Sequence, residues 1–127
     1  MRIFKTRAFA KFAIKQQITD IQLLEAIQRA EAGLIDANLG GNIIKQRISR
    51  QGQGKSGSYR SLIFYRINKN HFFVVGFAKN KQENISATDL ASLKLLAQQY
   101  ETYQAEQIEL LLQRGALIEV KQNEIQQ

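Results

Sequence analysis

The sequence predicts an α+β fold in which two N-terminal helices pack on a small antiparallel β-sheet, a meander of three strands plus short terminal strands, with C-terminal helices. Three observations point there. Apolar residues recur at helical spacing before Gly33 and after Ser86, whereas the stretch between them alternates or is rich in β-formers. The strand-like runs follow one another closely, which favours antiparallel pairing over crossover connections. The chain has no proline and 8 glycines, so glycine supplies the breaks.

Residues 2–5 read as a short strand. Thr6 is then an N-cap for a helix with Phe9, Phe12 and Ala13 on one face and Lys11 and Lys15 outside. Thr19-x-x-Gln22 is a capping-box pattern ahead of Ile21, Leu24, Ala26, Ile27 and Ala30, an amphipathic spacing that ends near Gly33. Residues 34–41 read as a connection with Gly40-Gly41 as its turn.

Across residues 42–49, Ile44 and Ile48 fall on one side of a strand, and Lys45, Arg47 and Ser49 on the other. A glycine-rich segment follows. Residues 59–67 form the next strand, with Arg60 and Arg66 flanking Leu62 and Phe64 on one face. Asn68-Lys69-Asn70 turns into residues 71–78, apolar on both sides.

Ser86-x-x-Asp89 caps a helix whose stripe of Leu90, Leu93, Leu96, Ala97 and Tyr100 must cover one face of the sheet. A shorter helix with Ile108, Leu111 and Leu112 stops at Gly115, and residues 116–120 alternate as an edge strand. One domain is expected over residues 1–127, with a core at 1–100, the last helix and edge strand at 101–121, and a disordered tail at 122–127.

Composition narrows the chemistry. There is no Cys and only 1 His, which excludes disulfides, thiol catalysis and the usual zinc sites, and no metal or other cofactor is expected. No apolar run is long enough to cross a membrane and the N-terminus has no signal-peptide core, so a cytoplasmic protein without membrane contact is expected. The formal net charge is +7. Residues 1–99 hold 16 basic against 6 acidic residues, and residues 100–127 hold 2 against 5. No Asp or Glu occurs from Ala37 to Gln82, yet this window holds Lys45, Arg47, Arg50, Lys55, Arg60, Arg66, Lys69, Lys79 and Lys81. A polyanion such as nucleic acid is the natural partner for such a surface.

Gly54-Lys55-Ser56 resembles the end of a phosphate-binding P-loop, but its leading glycine would fall at Ser49, and a strand follows where that motif needs a helix. Glycines 52, 54 and 57 instead allow close approach of a polynucleotide backbone, with Lys55 and Arg60 meeting phosphates. Tyr59 flanks this segment, and its hydroxyl is placed to contact a phosphate. His71 reads as a surface residue beside a turn, and Phe64, Phe72, Phe73 and Phe77 as core rather than base-stacking platforms. Asp89 and Glu83 read as helix-start residues, and no paired-carboxylate site emerges.

Lys45-x-Arg47, then Gly54-Lys55-Ser56-Gly57-x-Tyr59-Arg60, then Phe73-Val74-Val75-Gly76-Phe77-Ala78-Lys79-Asn80 together resemble RelE-type toxins of the RelE/ParE toxin–antitoxin superfamily, in the branch marked by K-S-G-x-Y-R and F-x-K-N. The resemblance spans essentially the whole chain. It implies a toxin with a cognate antitoxin as partner and, for RelE-type members, a metal-independent endoribonuclease (an mRNA interferase) that cleaves mRNA on the ribosome. ParE-type members instead poison DNA gyrase, and a non-catalytic nucleic-acid-binding module is a third alternative.

In RelE-like enzymes, basic side chains on the concave sheet face do most of the work. Arg60 carries over most firmly, and Lys45 and Arg47 match a basic pair on the preceding strand. The expected catalytic set is Arg60, Lys55, Lys79 and Tyr59, with Lys45, Arg47, Arg50, Lys81 and Arg66 holding RNA. Ser86 and Asn80 stand near the places where RelE-like enzymes often carry Tyr and Arg. Which lysine takes the proton is left open.

Overall fold

The chain runs β1 (Arg2–Thr6), α1 (Arg7–Gln16), α2 (Asp20–Glu31), β2 (Ala37–Gly40), β3 (Ile43–Ile48), β4 (Tyr59–Ile67), β5 (Asn70–Ala78), α3 (Ala87–Glu101), α4 (Ala105–Gln113) and β6 (Leu117–Glu119). The structure is a computed structural model and describes residues 1–49, 58–78 and 85–122. All six strands form one sheet in the order β2-β3-β4-β5-β1-β6.

The antiparallel meander of β3, β4 and β5 is as expected. The terminal strands are more than accessories, because β1 lies inside the sheet, parallel to β5 on one side and antiparallel to β6 on the other. Residues 34–41 are not all connection either. Gly40, Gly41 and Asn42 adopt φ of 84°, 61° and 64°, a left-handed turn that folds β2 back onto β3.

Helices cover both faces. Against α1 and α2 lies a cluster that includes Ile3, Phe9, Leu23, Ile27, Ile44, Ile48, Ile63 and Phe73. Leu23, rather than the exposed Ile21, opens the buried stripe of α2, since 23, 26, 27 and 30 keep the i, i+3, i+4, i+7 spacing. Against α3 and α4 lies a second cluster built on Phe4, Ile43, Phe64 and Phe72, where Tyr100 meets Phe64 and Phe72 edge-on at 5.2 and 4.9 Å.

The expected caps are present. Thr6 Oγ1 accepts from Phe9 N at 3.1 Å, Thr19 and Gln22 form a reciprocal capping box, and Ser86 Oγ accepts from Asp89 N at 3.1 Å. Gly76 of β5 lets α1 come close, for a Cβ there would meet the Phe12 ring at 2.3 Å.

Two buried polar side chains tie elements together. Gln46, fully buried on the α2 side of β3, donates to Ala26 O and Leu34 O at 3.0 Å each and accepts from Asp36 N at 3.1 Å. His71 is buried, contrary to the surface position expected beside a turn. The C-terminal end of α2 and the Tyr65 ring, stacked on the imidazole at 4.7 Å, enclose it.

The first strand and the last of the described residues are held to each other. Arg2 donates to Glu119 from Nε and Nη2 at 2.9 and 2.8 Å and to Glu109 from Nη1 at 2.8 Å, and its guanidinium keeps the Glu119 carboxyl below the usual carboxylate range. Lys121 N donates to Asp20 Oδ2 and Gln122 Nε2 to Met1 O, so the expected tail is anchored at its start; residues 123–127 lie outside the described residues.

Candidate functional site

Strand alternation decides which cations share a surface. On β3, Ile44, Gln46 and Ile48 turn toward α1 and α2, which sends Lys45 and Arg47 to the α3 face. The antiparallel register places Arg47 directly opposite Arg60, and Arg60 directly opposite Phe77. The next row on that face is Lys45, Leu62 and Val75.

A register shift in β5 makes this alignment possible. Leu62 pairs with Val75 and Ile63 with Phe73, so Val74 is an extra residue in β5. Without it, strand alternation would turn Phe77 to the α1 face.

Two arginines facing each other across a ladder repel, a cost of a few tenths of a kcal/mol or more that folding alone gives no reason to accept. Both side chains are half-buried. Among the described residues the carboxylate ion pairs involve Arg2, Lys5, Arg29 and His71, and none involves Arg47 or Arg60. Arg60 Nη1 donates to Ser58 Oγ at 3.0 Å, which fixes one edge of its planar fork. The Arg47 backbone is held instead of its side chain: its N donates to Asp36 Oδ2 at 2.6 Å and its carbonyl accepts from Arg29.

The remaining site expectations divide. Lys45 shares the α3 face with Arg47 and Arg60. Tyr59 does not: it is buried on the α1 face, its hydroxyl 3.1 Å from Gln16 Oε1 and its ring edge-on to Phe12 at 5.7 Å. Its place opposite Ile48 in the ladder dictates this and puts it on the other face of the sheet from Arg60. Arg66 sits at the far end of β4, about 20 Å from Arg60 along the strand, exposed and over the Tyr65 ring at 5.1 Å. Arg50, Lys55, Lys79 and Lys81 lie outside the described residues.

Phe77 is the residue that the sequence hid. Phe64, Phe72 and Phe73 are core, as expected, but Phe77 is half-buried and lines a cleft of about 310 Å³ between the sheet and the first turns of α3. Its only sequence signal was alternation with Val75 on a strand apolar on both sides.

The arrangement is a pair of arginines with a lysine in the next row and a cleft beside them whose lining is mostly apolar with Asp89 and Ser92 on one side, suited to phosphate oxygens attached to a flat group. No group of three or more His, Cys, Asp or Glu side chains able to hold a metal occurs among the described residues, and none of their helices is long and apolar enough to cross a membrane.

Comparison with curated proteins returned no match. A family model described as "RelE toxin of RelE / RelB toxin-antitoxin system" matches residues 1–120. With nearly the whole chain matched, and with an α+β architecture consistent with it, this protein belongs to the RelE toxin family, whose members pair with an antitoxin.

Proposed function

We propose that the protein is an endoribonuclease that cleaves mRNA on the ribosome. The observation that carries this reading is the directly opposed pair Arg47 and Arg60, two like charges without a carboxylate partner among the described residues. Membership of the RelE family supports it.

In the proposed reaction the substrate's 2′-hydroxyl attacks the adjacent phosphorus. The new 2′-O–P bond forms as the P–O5′ bond breaks, leaving a cyclic phosphate and a free 5′-hydroxyl. One group must take the 2′ proton and another must protonate the leaving 5′-oxygen. Arg60, its fork fixed by Ser58, is proposed to bind the phosphoryl oxygens as charge builds on them, with Arg47 and Lys45 holding flanking phosphates. Proton transfer is proposed to fall to Lys55 or Lys79, both outside the described residues.

The antitoxin is proposed to neutralise this face by laying an acidic segment across Lys45, Arg47 and Arg60. A complex in which those three residues stay open to solvent would overturn that part.

The test is to incubate ribosomes carrying mRNA with the purified protein and map the new 5′ ends. In-frame cuts are expected from the wild type, slowed on the order of a hundredfold or more by Arg60→Ala. Intact mRNA, or full activity in that variant, would sink the assignment.

A further inference from the structure

The cleft beside Arg60 has walls of two kinds. Its floor is Leu62 and Val75 of β4 and β5 with the ring of Phe77, and the apolar wall opposite is Leu93 of α3. Its polar wall is Asp89 and Ser92, one α-helical turn apart on α3. Phe77 stands directly across the ladder from Arg60. The Cβ atoms of the pair are about 5 Å apart, so a group bound on Phe77 is a neighbour of whatever Arg60 holds.

We propose that this cleft is a nucleobase pocket selective for guanine, taking the base joined to the phosphate that Arg60 holds. The inference rests on the reading of that face as an RNA site and adds the identity of the base. A half-buried phenylalanine with apolar neighbours is a stacking surface, and unstacked RNA bases are commonly read by such rings together with hydrogen bonds to their Watson–Crick edges.

The polar wall selects among bases. A carboxylate only accepts hydrogen bonds. Guanine presents two adjacent donors, N1–H and the N2 amino group, which match the two oxygens of Asp89. Adenine and cytosine each offer a single amino group on that edge, with a ring nitrogen acceptor beside it. Uracil flanks its lone N–H with two carbonyl oxygens, which the carboxylate repels.

Asp89 is free to serve. Its backbone N–H is bonded to Ser86 Oγ in the helix cap, and no hydrogen bond or ion pair engages its carboxylate among the described residues. The first turn of α3 favours a negative charge at this position without using the carboxylate oxygens. The Ser92 hydroxyl, which both donates and accepts, is left for guanine O6 or a ribose hydroxyl.

The test is a titration of the full-length isotope-labelled protein with the 5′-monophosphates of guanosine, adenosine, cytidine and uridine, followed by NMR. Guanosine monophosphate is expected to shift the resonances of Val75, Phe77, Ser92 and Leu93 and to bind at least tenfold more tightly than uridine monophosphate, the scale of one bidentate base contact. Asp89→Asn should bring the four nucleotides to within about threefold of each other, whereas Arg60→Ala should weaken all four alike. Equal affinities in the wild type, shifts that leave α3 untouched, or an unchanged guanine preference in Asp89→Asn would each overturn the proposal. The titration involves no ribosome and no cleavage. Failure of the cleavage assay therefore defeats the endoribonuclease assignment and leaves this outcome to be read on its own.

Discussion

Arg47 and Arg60 face each other across the β3–β4 ladder, a like-charge pair in a position where an opposite charge would stabilise the sheet. Arg60→Gln keeps a polar side chain while removing the charge and with it the repulsion. Its stability should equal or exceed that of the wild type, by about 0.5 kcal/mol at low salt, while cleavage of ribosome-bound mRNA is lost. Calorimetry at low and high salt checks this, because the gain should shrink as salt screens the pair. A markedly destabilised variant would show that Arg60 serves the fold.

Gln46 should prove more important to folding than its neighbours suggest. Gln46→Leu fills similar volume but leaves Ala26 O, Leu34 O and Asp36 N without their partner. Buried backbone groups stripped of partners cost roughly 1–3 kcal/mol each. A loss of about 3 kcal/mol or more is expected from urea denaturation, and a loss under about 1 kcal/mol would mean that these groups find water.

His71 makes stability depend on pH. Burial pushes the imidazole down to about 4, against the pull of Glu31, whose Oε2 lies 3.7 Å from Nε2; Arg66 and the N-terminus push the same way as burial. Nδ1 accepts from Arg66 N at 3.0 Å, which needs the neutral ring. In the unfolded chain the imidazole titrates near 6.5. Between about pH 6.5 and 4 the unfolded state therefore binds the extra proton, and stability falls as pH falls through that window. The contribution is on the order of 3 kcal/mol, present above the window and lost below it. Denaturant midpoints at pH 7 and 4.5 should differ less in His71→Gln than in the wild type; equal slopes would remove His71 as the cause.

Gly76→Ala places a methyl group against the Phe12 ring. About 1–3 kcal/mol of destabilisation is expected from the overpacking. Adding Phe12→Leu should recover part of it in a double-mutant cycle.

Local signals were legible in the sequence and neighbour relations were not. Capping residues Thr6, Thr19 and Ser86 and the span of β4 followed from side-chain chemistry and period, because each depends on residues close in the chain. Periodicity cannot say which strand lies beside which, so the parallel pairing of β1 with β5 stayed hidden. The same limit explains His71, which is buried by Tyr65 and the end of α2 rather than by anything adjacent to its turn. At the site, alternation correctly grouped Lys45 with Arg47. It could not separate Phe77 from the core phenylalanines, because that depends on the extra residue at Val74 and on where α3 begins. Tyr59 and Arg66 share a strand with Arg60, but one lies on the opposite face and the other at the opposite end.

The placement of β1 between β5 and β6 bears on how the toxin is made. Strand β1 is completed by β6, more than a hundred residues later, as Val120 N donates to Ile3 O and Arg2 pairs with Glu119. A nascent chain can form the β3–β5 meander early, yet the sheet stays one strand short until translation has delivered residue 120. A ribosome making this toxin thus holds an unfinished sheet until residue 120 has been delivered, and the six-stranded architecture is acquired only after that point.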